Sequence, residues 1–90
     1  NTDILMNLAN KIEVMSGLKA AMSYWEILFE IDSASSYLHS LSGLKLALYH
    51  SQENNDPETL VSFVNNETNT RLLPTAYEAL KNFYKRIGDK

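Results

Sequence analysis

The chain has 90 residues, of which 44% are hydrophobic and 21% charged, with a formal net charge of −3 and no cysteine. This composition is typical of one globular domain with its own core, and it excludes a disulfide scaffold and a thiolate metal site. The net negative charge argues against nucleic-acid binding, because a protein that binds nucleic acid usually carries a basic stripe on its surface. No apolar run approaches the roughly 20 residues that span a bilayer, so we expect no membrane span. Since no secretory leader is recognisable, we expect a cytoplasmic protein.

The first apolar repeat predicts a helix that begins at Thr2 or Asp3 and ends at Ser16–Gly17. A glycine there is free to adopt the left-handed conformation that often follows a last helical turn. Spacings of three, four and three residues predict a single apolar stripe, which consists of Leu5, Leu8, Ile12 and Met15.

The second helix is predicted over about residues 18–31 and contains Trp25, the only tryptophan. Its polar positions share one narrow face, formed by Lys19, Ser23, Glu26 and Glu30. Because a helix that is apolar on almost every side needs neighbours on more than one face, we expect it in the middle of the structure.

Residues that hydrogen-bond their own backbone are concentrated in Asp32–Ser36, which favours a tight corner. We expect Asp32 or Ser33 to cap a third helix that ends near Gln52. One uninterrupted helix through the segment is the alternative, since no glycine or proline forces a stop. The third helix has an apolar stripe formed by Tyr37, Leu41, Leu44 and Leu48.

The clearest break between two predicted helices is Asn54–Glu58, where a turn and an acidic cap precede a proline at the first helical position. A short fourth helix follows, and its apolar residues are Leu60, Val61, Phe63 and Val64. A fifth helix is predicted to begin at Pro74 and to end at Gly88. No segment alternates with a period of two. We therefore predict an all-α fold, a compact bundle of about five helices that forms a single domain over residues 1–90.

Two histidines, His39 and His50, lie on the third helix, eleven residues apart. They share a face but are about 16 Å apart at 1.5 Å per residue, so they cannot bind one metal ion. We expect no metal site and no cofactor.

The segment His39-Ser40-Leu41-Ser42-Gly43 resembles the His-x-Leu-Lys-Gly core of histidine phosphotransfer domains, with Ser42 in place of the lysine. Those domains are helical bundles that carry a phosphoryl group on an exposed helical histidine. The resemblance covers five residues and implies that His39 is the phospho-acceptor. It also implies that Gly43, one turn further on, leaves room for a docking partner.

No glycine-framed serine, cysteine or glycine-rich phosphate loop is present, so we do not expect an enzyme. We expect a non-enzymatic module for protein–protein interaction or regulation, whose partner is another protein or a second copy of itself. Because tyrosine is enriched at interfaces, the predicted contact surface combines the last helix with the outer face of the third. Its residues are His39, Leu46, His50, Tyr77 and Tyr84. Two alternatives stay open: phosphotransfer through His39, and binding of a small molecule or lipid inside the bundle near Trp25.

Overall fold

The computed structural model describes residues 2–31 and 36–88, and all of the regular structure in these ranges is helical. The helices are α1 (Thr2–Ser16), α2 (Leu18–Glu30), α3 (Ser36–Asn54), α4 (Glu58–Asn66) and α5 (Leu73–Arg86). They form a body of 43 × 29 × 18 Å with a radius of gyration of 12.8 Å. The predicted all-α compact bundle is confirmed. Among these five helices, none combines the length and apolarity that a bilayer crossing requires.

Three helix ends lie where single residues predict them. Gly17 has a φ of 95°, and its N–H donates to a carbonyl one turn back in α1. Asp56 caps α4, since its Oδ1 accepts the N–H of Glu58 at 3.0 Å. Gly88 follows α5 with a φ of 72°, a backbone conformation that other residues rarely adopt.

The connection between α2 and α3 is not helical throughout. Ile31 is extended, with a φ of −76° and a ψ of 117°, so α2 and α3 are separate helices rather than one uninterrupted helix. The predicted capping residues, Asp32 and Ser33, lie outside the described residues. At its other end α3 continues to Asn54, two residues beyond the predicted end at Gln52.

The central helix of the bundle is α3. It packs against α2, α4 and α5, whereas α2 packs against α1 and α3. The second helix therefore has neighbours on more than one side, as predicted, but it does not occupy the centre. The physical reason is that α3 is apolar on two faces, with Leu38 in one core and Leu44 in the other.

Two hydrophobic cores result from this arrangement. The first joins α1, α2 and α3, and its buried residues are Ala9, Ala21, Met22, Trp25, Leu28 and Leu38. The second joins α3, α4, α5 and the residue that precedes α5, and its buried residues are Leu44, Ala47, Leu60, Val64, Leu72, Ala76 and Phe83. Leu41 packs against both cores and links them.

The apolar stripe of α1 faces the core at only two of its four positions. Leu5 and Ile12 pack against the first core, but Leu8 is 40% exposed and Met15 is 74% exposed. The buried face is instead turned toward Ala9, which is fully buried.

A polar contact of Glu13 explains this rotation of α1. Trp25 Nε1 donates to Glu13 Oε1 at 3.0 Å, and Lys45 Nζ donates to Glu13 Oε2 at 2.8 Å. The ammonium of Lys45 also lies 5.4 Å from the centre of the Trp25 ring. Because a buried indole N–H needs an acceptor, α1 turns Glu13 inward, and Leu8 and Met15 consequently face outward.

Candidate functional site

Four of the predicted site residues lie along one side of α3 and line a single groove, which we call the α3–α4 groove. They are His39, Gly43, Leu46 and His50. The groove has a volume of about 500 Å³, within the usual range of ligand pockets, and α4 and Phe29 of α2 supply its other walls. The separation of eleven residues between His39 and His50 gives it a length of about 16 Å.

Two aromatic rings converge over Gly43 in the floor of the groove. A Cβ atom on this glycine would lie 3.3 Å from Phe29 Cε1 and 3.3 Å from Phe63 Cε2. Glycine inside a helix costs roughly 0.5–1 kcal/mol relative to alanine, and here it permits this close approach. The space expected beside Gly43 for a docking partner is therefore occupied by rings of the chain itself.

The two histidines lie at the rim and are exposed. The His39 ring stacks on Phe29, with ring centres 4.4 Å apart and planes inclined by 17°. The His50 ring is tilted by 56° against Tyr49 at 5.8 Å. Across the part of the chain that the structure describes, no three His, Asp or Glu side chains are grouped to hold a metal ion.

The opposite rim belongs to α4 and is polar. Thr59, Ser62 and Asn66 follow one another at spacings of three and four residues, and all three are exposed. Asn66 Nδ2 donates to the backbone oxygen of Ser62 at 2.8 Å, which directs the amide along the rim. An apolar floor between polar rims has the anatomy of a protein interface.

The two predicted tyrosines lie elsewhere. Tyr77 is 57% exposed on α5, and Tyr84 is half-buried with its ring edge-on to Phe83 at 6.4 Å. Neither residue lines the α3–α4 groove. The structure therefore does not join the predicted residues of α3 and α5 into one contact surface.

A larger groove of about 660 Å³ separates α3 from α5. Leu48 and Phe83 contribute apolar surface there, but many of its lining residues are polar or charged, namely Gln52, Thr75, Glu78, Asn82 and Arg86. None of the predicted site residues lies in it.

The region of Trp25 is closely packed. Trp25 is fully buried, it lines none of these grooves, and every buried side-chain nitrogen or oxygen in the described ranges has a hydrogen-bond partner.

Sequence reasoning missed Phe29, Phe63 and the polar rim of α4. Only Gly43 signalled them, because a glycine in a helix interior often marks a close approach of another group. Comparison of the chain with protein-family models, with curated proteins and with solved structures found no match.

Proposed function

We propose that this chain is a non-enzymatic protein-interaction module that binds an amphipathic helical segment of a partner protein in the α3–α4 groove. The observation that carries the proposal is the continuous side of α3 from His39 to His50, which forms an open groove with α4. Its floor is apolar and its two rims are polar, the arrangement that supports docking of one helix face.

The dimensions of the groove favour a helix. A length of about 16 Å matches eleven helical residues, or three turns, with anchors at positions i, i+3 or i+4, and i+7. Leu46 and the rings of Phe29 and Phe63 offer contact area to those anchors. Thr59 and Ser62 offer hydroxyl groups to the polar flank of the bound helix.

A selection experiment tests this proposal. Helical amphipathic peptides of about 12 residues are displayed as a library, selected on the wild-type chain, and their dissociation constants are measured. The test variant is Ser62→Arg on the groove rim, and the matched control is Ser23→Arg on the exposed face of α2. Both replace an exposed helical serine with the same cation, and circular dichroism verifies that both variants fold.

We expect Ser62→Arg to weaken peptide binding by about tenfold or more, and Ser23→Arg to leave it within about twofold. A library without binders would contradict the proposal, and so would peptides that bind Ser62→Arg as tightly as the wild type.

The exposure of His39 favours a second candidate function, phosphotransfer through its imidazole, in keeping with the family that its segment resembles. Incubation with phosphoramidate, followed by mass spectrometry, tests this candidate. His50 is an internal reference, because it is exposed on the same side of α3. Preferential phosphorylation of His39 would support phosphotransfer. Equal modification of both histidines would show reactivity without a specific site.

A further inference from the structure

The outer face of α1 carries an apolar stripe that the bundle leaves uncovered. Ile4 is 67% exposed, Leu8 40% and Met15 74%, and among the helices of the described ranges only the backbone of α2 lies close to that of α1, which reaches α3 through side chains such as Glu13. Together with Lys11 these residues follow the i, i+4, i+7, i+11 spacing of one helical face. We propose that this face, here called the α1 stripe, pairs antiparallel with the α1 stripe of a second copy of the chain.

The α1 stripe is self-complementary about a two-fold axis that passes between residues 9 and 10. In an antiparallel pair, Ile4 lies opposite Met15 of the second copy, and Leu8 lies opposite Lys11 of the second copy. The aliphatic stem of the lysine covers the leucine while its ammonium group stays in water. A two-fold interface uses the same patch on both copies, and this spacing satisfies that requirement.

The charges of the α1–α2 hairpin favour the antiparallel direction. Lys11 and Lys19 lie toward its closed end at Gly17, whereas Asp3 and Glu30 lie at its open end, and these four charged residues are exposed. Antiparallel pairing places the acidic end of one copy beside the basic end of the other. Parallel pairing would place the two acidic ends together, whereas in the antiparallel pair the only like charges of α1 near the two-fold axis are the two Lys11 side chains, whose ammonium groups extend into water.

The size of the α1 stripe sets the expected affinity. The 15 residues of α1 extend about 22 Å. One face of such a helix offers less than the roughly 800 Å² per partner that a standard interface buries. We therefore expect a weak, reversible dimer with a dissociation constant of about 10 μM to 1 mM.

Sedimentation equilibrium of the whole chain from about 10 μM to 2 mM tests the pairing, since this range brackets the expected constant. The average mass of the wild type should rise from 10.2 kDa toward twice that value. Met15→Lys should remain monomeric at concentrations where the wild type dimerises. The matched control is Val14→Lys. Val14 is 86% exposed, but it lies about 100° away from Met15 around the same helix and therefore outside the α1 stripe.

A dimer that survives in Val14→Lys and is lost in Met15→Lys supports the proposal, provided that circular dichroism shows both variants to be folded. A wild type that stays monomeric at about 2 mM would overturn it. A dimer that Met15→Lys leaves intact would overturn it as well.

Disulfide trapping tests the antiparallel direction, and the absence of native cysteine makes the chain suited to it. Ile4→Cys and Met15→Cys variants are mixed in equal amounts and oxidised. We expect mainly disulfides that join the two different variants. In the antiparallel pair, two copies of position 4 are about 16 Å apart, beyond the roughly 7 Å between Cα atoms that a disulfide spans. A predominance of disulfides between identical variants would overturn the proposed direction.

Discussion

Replacement of Glu13 by alanine tests the contact that sets the orientation of α1. The carboxylate of Glu13 accepts a hydrogen bond from the Trp25 indole at 3.0 Å and another from the Lys45 ammonium at 2.8 Å. Alanine is the best helix former, so α1 itself does not suffer from the substitution. Any loss of stability therefore reports the two interactions across helices.

The expected loss follows from the burial of the two donors. Trp25 is fully buried, so its unpaired indole N–H costs about 1–3 kcal/mol. The side chains of Lys45 and Glu13 are 17% and 24% exposed, so loss of the ion pair adds at most about 1 kcal/mol to this cost. Glu13→Ala should lower the free energy of unfolding by about 1–4 kcal/mol. Glu13→Gln keeps a neutral acceptor for the indole and should cost only about 1 kcal/mol.

Urea unfolding, followed by the fluorescence of Trp25, measures these differences, since the chain has a single tryptophan. Glu26→Ala is the control, because Glu26 is an exposed acidic residue of α2, and it should stay within about 0.5 kcal/mol of the wild type. Two results would refute the reasoning: a loss below about 0.5 kcal/mol in Glu13→Ala, or equal losses in Glu13→Ala and Glu13→Gln.

Three further substitutions give sharp expectations. Ser51→Ala should cost about 1–3 kcal/mol in urea unfolding, because the buried Ser51 hydroxyl accepts the N–H of Leu60 in the first turn of α4 at 3.1 Å. Ser42→Ala should change stability by less than about 0.5 kcal/mol, although Ser42 is equally buried, because the Ser42 hydroxyl only donates to a backbone carbonyl of its own helix. Equal losses of stability in the two serine variants would contradict this account. Gly17→Ala should cost about 1–3 kcal/mol, because its φ of 95° strains any residue with a side chain although no atom lies within 4 Å of the added Cβ. An unchanged unfolding midpoint in Gly17→Ala would show that the corner relaxes without strain.

Local sequence predicts the helix ends well because one residue decides each of them. Gly17 and Gly88 adopt a positive φ that other residues rarely take, and Asp56 supplies a side-chain acceptor to the N–H of Glu58. The face that α1 buries could not be predicted in this way. Its apolar spacing fits Leu8 and Met15, but a tertiary contact of Glu13 with another helix decides which side turns inward.

The candidate site could likewise be predicted only in part from local sequence. The spacing on α3 was sufficient to place His39 and His50 on one side of the helix, because α3 is regular from end to end. The rings that meet over Gly43 depend on how α2 and α4 pack against α3, which no local pattern specifies. The sequence therefore suggested open space beside Gly43, where the rings of Phe29 and Phe63 lie.

The most direct test of the account is a map of amide chemical-shift changes when a selected helical peptide is titrated into the wild-type chain. If the α3–α4 groove is the docking surface, the largest changes will follow α3 from His39 to His50 and α4 from Thr59 to Asn66. Changes concentrated on α5 around Tyr77, with the groove unaffected, would contradict the proposed docking site.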